Sequence, residues 1–136
     1  MPAASAFEYA VVRVVPEIVR EEFINVGVIL YCRQRRFLDM RIHLDADRLL
    51  ALSPAAQVDL LRAELDLMAC VCAGGPEAGV IGALSQAERF RWLTSPRNTM
   101  VQISPVHVGL CDDPHGTLER LFRELVTTVD DGRASG

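Results

Sequence analysis

Six side chains in this 136-residue sequence are of types that could do chemistry and stand where strands and turns would present them: Arg13, Glu22, Asn25, Arg97, Gln102 and His107. Arginine forks suit phosphate or carboxylate groups, and histidine suits proton transfer near neutral pH. The set therefore reads either as a cleft that binds a ligand or partner, or as a small acid–base site working on a phosphate-bearing substrate. Period two along extended chain sets Arg13, Asn25, Asp39, Arg41, His43 and Gln102 away from their apolar neighbours. If they share one face, the sheet carries a polar surface at its middle. A polar group such as Asn25 inside an apolar strand must find a partner, or it costs on the order of 1 kcal/mol or more. Two readings of that face stand side by side: structural hydrogen bonds with a solvated edge, and a ligand cleft.

Other constellations carry less. Glu21 and Glu22 form the densest acidic signal, but adjacent residues in extended chain point different ways, so they do not converge on a cation without a special turn. Cys70-Val71-Cys72 is a pair two residues apart, which on a helix means about 200° of separation and two sulfurs that cannot face one ion. His43, His107 and Cys111 lack the doubled short spacing of a structural zinc site, so no metal is expected. The glycine-rich nucleotide loops and the nucleophile elbow of hydrolases are missing, and no cofactor is expected. All 14 basic residues are arginine. Without an ε-amino group, Schiff-base chemistry and the phosphate-gripping lysine of a P-loop are both impossible.

The elements that must position these residues are legible. Tyr9 to Val15 is β-branched and stops at Pro16, a first strand. Phe23 to Tyr31 is apolar on both faces, as a central strand covered on part of each side would be, and Gly27 within it marks packing or a close approach. The arginine-rich turn Arg33–Arg36 then leads into Phe37 to Leu44, where Leu38, Met40, Ile42 and Leu44 alternate with polar neighbours, giving a hairpin. Asp45 to Leu50 reads as one or two helical turns. Ser53-Pro54 starts a helix to Cys72 with Val58, Leu61, Leu65 and Met68 on one side. Ser85-Gln86-Ala87-Glu88 fits a capping box for a short helix to Leu93, with a strand through Phe90–Leu93 as the rival. Thr99 to Ser104 resembles a fourth strand, and Asp112-Asp113-Pro114 opens a last helix to Val129, leaving 130–136 as a fraying tail. The expected fold is α+β: one domain over 1–129, an antiparallel-dominated sheet of about four strands, and the two main helices on one face.

Several of these segments together resemble a known family. Tyr9 to Val15, the run Arg20-Glu21-Glu22-Phe23-Ile24-Asn25-Val26-Gly27-Val28-Ile29-Leu30, and Ser95-Pro96-Arg97 followed by Gln102, Ser104 and His107 look like the bacterial DUF3037 proteins. The resemblance spans nearly the whole chain and brings no activity with it. It implies a protein partner, a HipA-like kinase encoded nearby.

Composition narrows the classes further. Half of the residues are hydrophobic and 24% are charged, a globular balance, and the net charge of −4 disfavours nucleic acid as the main partner. No stretch approaches the roughly 18 apolar residues of a membrane span, and the start lacks a basic n-region, so neither membrane insertion nor a signal peptide is expected. The four cysteines then belong in a reducing cytoplasm as small packing residues. The favoured expectation is a non-catalytic binding or adaptor protein, with the phosphate-directed enzyme as the alternative.

Overall fold

The β-branched run near the start forms β1, Ser5–Val14, and in a computed structural model describing residues 3–97 and 99–127 it is the strand around which the sheet is built. β2 (Ile24–Cys32) lies antiparallel on one side, followed outward by β3 (Phe37–Ile42). On the other side β1 pairs, again antiparallel, with β4 (Val101–Ile103) along Val12–Val14 and with β5 (His107–Cys111) along Ser5–Tyr9. The α+β reading with an antiparallel sheet holds, with five strands in place of about four.

β4 and β5 share one edge end to end, joined through Ser104-Pro105-Val106. Proline has no N–H to give to a ladder. Ser104 keeps the join in register: its N–H donates to Val11 O at 2.9 Å, and its Oγ accepts from Val11 N at 2.8 Å.

β2 carries a bulge. Val12 pairs with Gly27 but Arg13 pairs with Asn25, so Val26 is an extra residue opposite β1. Ile24, Val26, Ile29 and Tyr31 therefore enter one core cluster, while Val28, Leu30 and Cys32 enter the other. Gly27 fits because a Cβ there would come within 2.7 Å of the Arg41 carbonyl.

The helices correct one expectation. α1 is Ala46–Leu52 and α2 is Val58–Ala73; α2 buries Leu61, Leu65 and Met68 in the larger cluster with Val12, Ile29 and Met40. α5, Pro114–Phe122, buries Leu118 and Leu121 in the second cluster with Phe7, Val28 and Leu30. The two main helices thus lie on opposite faces, not on one. The physical reason is β2 itself, whose apolar residues point both ways and need cover on both sides. α2 also starts later than Pro54, because Ser53 closes α1 as its C-cap, with its N–H on Leu49 O.

Between them come a short turn of helix, α3 (Gly79–Gly82), and α4 (Gln86–Thr94), where the capping box forms as read: Ser85 Oγ accepts from Glu88 N, and Glu88 Oε1 accepts from Ser85 N. Helix wins over strand for this segment. Asp113 sits at the N-cap of α5 ahead of Pro114 but makes no capping bond with its side chain. α5 runs on into a π turn, Arg123–Thr127; residues 128 and 129, and the expected tail 130–136, lie outside the described residues. Among the described residues no helix is long and apolar enough to cross a membrane.

Candidate functional site

The end of the sheet where β1 stops and β2 begins collects most of the candidate residues. Pro16 ends β1, a turn of 3-10 helix runs over Ile18–Arg20, and Glu21 adopts φ 57°, reversing the chain so that Phe23 enters beside β1. Period two then lines up three polar side chains across the strands. Gln102 is the partner of Arg13 on one side, and Asn25 on the other.

Arg13 holds its guanidinium 4.4 Å over the Phe23 ring, a cation–π contact. Its Nε is buried and has no hydrogen-bond partner among the described residues. Asn25 donates through Nδ2 to Leu125 O at 3.0 Å, in the π turn after α5, while its Oδ1 is buried without a partner. The row therefore tethers α5 to the sheet and leaves one donor and one acceptor unmatched.

Arg97 reaches the same corner from α4. Ser95 exits the helix in extended conformation, as a residue before proline prefers, and Arg97 folds back so that Nη1 donates to Leu93 O at 2.9 Å and Ser95 O at 3.2 Å. Its guanidinium lies 5.1 Å from the centre of the Trp92 ring. Burial lowers its pKa and Glu64 opposes that shift, but an arginine keeps its charge. Gln102 ties the turn to β4, donating through Nε2 to Arg97 O at 3.0 Å and to Thr99 O.

A cavity of about 410 Å³ opens between these groups, lined by Val15, Ile18, Glu21, Phe23, Arg97 and Gln102. Behind Arg97 a second hollow of about 350 Å³ reaches Trp92, Met68 and Glu64. Among the described residues neither Arg13 nor Arg97 is ion-paired. Of the candidates, Arg97 and Gln102 line the first cavity together with Glu21, while Arg13 lies beside it, next to Gln102 in the register and over the Phe23 ring. The corner is equipped to hold an anionic or hydrogen-bond-accepting group.

Arg13, Asn25, Gln102 and Arg97 come together here. Two candidates do not. Glu22 turns to solvent and accepts from Arg20 Nε at 2.7 Å, while its neighbour Glu21 lines the cavity. His107 is exposed on β5 opposite Tyr9, with ring centres 5.1 Å apart, four β1 residues from Arg13. Sequence reasoning passed over the platforms, Phe23 and Trp92. Their signal was an aromatic residue within a strand or helix end close to an arginine, which spacing alone cannot distinguish from a core residue.

The buried cysteines Cys32, Cys72 and Cys111 are packing residues. Burial, reinforced by Asp39, pushes the Cys72 thiol up to about 12, and burial also raises Cys111, so neither supplies a thiolate at neutral pH. Cys70, two residues earlier, is exposed, as the helical geometry requires. Among the described residues no group of three or more histidine, cysteine or carboxylate side chains is placed to hold a metal ion.

No curated protein and no solved structure matches the chain. A family model, described as a protein of unknown function, DUF3037, matches residues 9–126, from Tyr9 of β1 to Val126 after α5 and so across both faces of the sheet. The chain belongs to the DUF3037 family.

Proposed function

We propose that this protein is a non-catalytic binding module, and that its arginine corner grips an anionic group presented by a protein partner. The observation that carries this reading is the state of Arg13: a guanidinium fixed over Phe23, with a buried Nε that no acceptor meets, beside a cavity containing a second unpaired arginine. A desolvated guanidinium gains most from a carboxylate or phosphate, which accepts two parallel bonds. Exposed Ile18 and Phe23 line the opening and supply the apolar contact that protein interfaces place around such an anchor.

The alternative, an enzyme acting on a phosphate-bearing substrate, calls for Glu22 and His107 beside the arginines. Their positions at Arg20 and Tyr9 favour binding over proton transfer. The HipA-like kinase implied by the resemblance is the partner to test first.

Calorimetry of the purified protein with that kinase should give a complex that Arg97→Ala weakens by about tenfold or more. Arg97→Lys should rescue it poorly, because the charge remains and the fork is lost. Millimolar inorganic phosphate should compete. A complex indifferent to both Arg97 variants, or turnover of a small phosphorylated substrate abolished by His107→Ala, would overturn the reading.

A further inference from the structure

On the α2 side of the sheet the helical layer stops short. α4 covers β2, where Tyr31 packs on Phe90 with ring centres 5.3 Å apart. The register continues that row outward from Tyr31 to Glu8 of β1 and Val108 of β5, and the next row out pairs Ala6 with Leu110. Among the described residues no helix lies over these positions: Val108 and Leu110 are each 73% exposed, and Ala6 is exposed as well. Two strands spaced about 4.8 Å apart leave a bare strip about 10 Å wide, the width of one α-helix with its side chains.

The inner wall of the strip is basic. Arg33 and Arg36 from the β2–β3 turn and Arg91 from α4 line a groove of about 970 Å³ against Glu8 and Tyr31. Gln86 Nε2 donates to Arg36 O at 3.0 Å, joining the turn to α4. None of the three arginines is in an ion pair among the described residues, and Glu8 is the one carboxylate in the lining.

We propose that this strip is a docking site for an acidic amphipathic helix of a partner protein, its apolar side on Ala6, Val108 and Leu110 and its carboxylates against Arg33, Arg36 and Arg91. Charge selects the occupant. A second copy paired through β5 would extend the sheet outward and leave the arginine wall, two strands further in, without counter-charges. An acidic helix laid across the strip satisfies both the apolar floor and the wall at once.

The probe is a fluorescein-labelled helical peptide of about 18 residues, five turns, with leucines along one side and glutamates flanking them. Its control replaces the glutamates with arginines. Anisotropy with the full chain should give saturable binding of the acidic peptide below about 100 µM, at least tenfold weaker for the control, for Val108→Asp and for Arg36→Glu/Arg91→Glu. Arg97→Ala, at the far corner, should leave this affinity unchanged, which separates the strip from the arginine corner. Unchanged melting of Val108→Asp, an exposed position, guards against a folding artefact. The proposal is overturned by equal binding of both peptides, by no binding at that concentration, by elution of the protein at twice its mass with loss of the dimer in Val108→Asp, or by binding to phosphatidylserine vesicles in preference to the peptide.

Discussion

β4 and β5 continue one another along the same edge of β1, yet they live in different surroundings. Val101 of β4 is 0% exposed, packed into the α2 cluster beside Val14 and Leu93, while Val108 of β5 is 73% exposed. The residue type, the strand type and the pairing partner are the same. What differs is the second layer on the α2 side: α2 and the end of α4 reach the β4 half, and among the described residues nothing on that side reaches the β5 half. A strand therefore owes its hydrogen bonds to its neighbour in the sheet but its stability to whatever lies above it.

The sharpest break of this comparison is a matched pair of substitutions. Val101→Ala removes two buried methyl groups and should cost about 2.5 kcal/mol, transfer and cavity together. Val108→Ala should stay within about 0.5 kcal/mol of the parent, as exposed positions do. Urea titrations of both variants test this, and equal midpoints would falsify the account of the two halves.

The joint between the halves comes next. Ser104→Ala takes away the acceptor of the buried Val11 N–H and should cost about 1.5 kcal/mol. Ser104→Thr keeps a hydroxyl at the position and should lose less. A thermal melt in which the alanine and threonine variants coincide would show that the side-chain bond contributes nothing to the joint.

At the border of the bare half, α4 begins with its capping box, and Ser85→Ala should cost about 1 kcal/mol. The smallest effect is one of pH. Hydrogen bonds from the Ser85 backbone N–H and hydroxyl lower the pKa of Glu88 in the folded chain. A carboxylate depressed on folding adds stability above its unfolded value and loses it as pH falls through the folded one. The parent should thus lose more melting temperature than Glu88→Gln between pH 7 and the acid end of the carboxylate range, with the two converging at that end. Parallel pH profiles would remove the ionised cap from the account.

Much of this organisation was legible in the residues. The strands of the β2–β3 hairpin, the capping box at Ser85 and the row Arg13, Asn25, Gln102 follow from period two and from local hydrogen-bond chemistry. The face of each helix did not, since an apolar stripe says that a helix must be covered and never by what. The clue lay in β2, apolar on both sides, which demands two layers. β5 was missed for a related reason: Val108 and Leu110 point to a bare strip and Gly109 sits against the Phe7 ring, so the segment lacks the inward alternation of a packed strand. His107 was placed with the arginines because it belongs to the same family-like segment as Arg97 and Gln102. Pro105 and the shared edge carry Gln102 and His107 along β1 to opposite halves of the strand.

The extra residue in β2 has a consequence for how this chain can change over generations. Val26 acts as a phase marker: upstream of it even-numbered residues face α2, and downstream odd-numbered ones do. Losing Val26 itself would close the ladder into regular alternation, with Ile24, Asn25, Gly27 and Val28 each still on its present face, whereas losing one residue elsewhere in the strand would exchange the two inner surfaces beyond the cut. β2 can therefore shorten by one residue at the bulge, at the expense of the buried Val26 side chain, and at no other point along its length without turning its faces over.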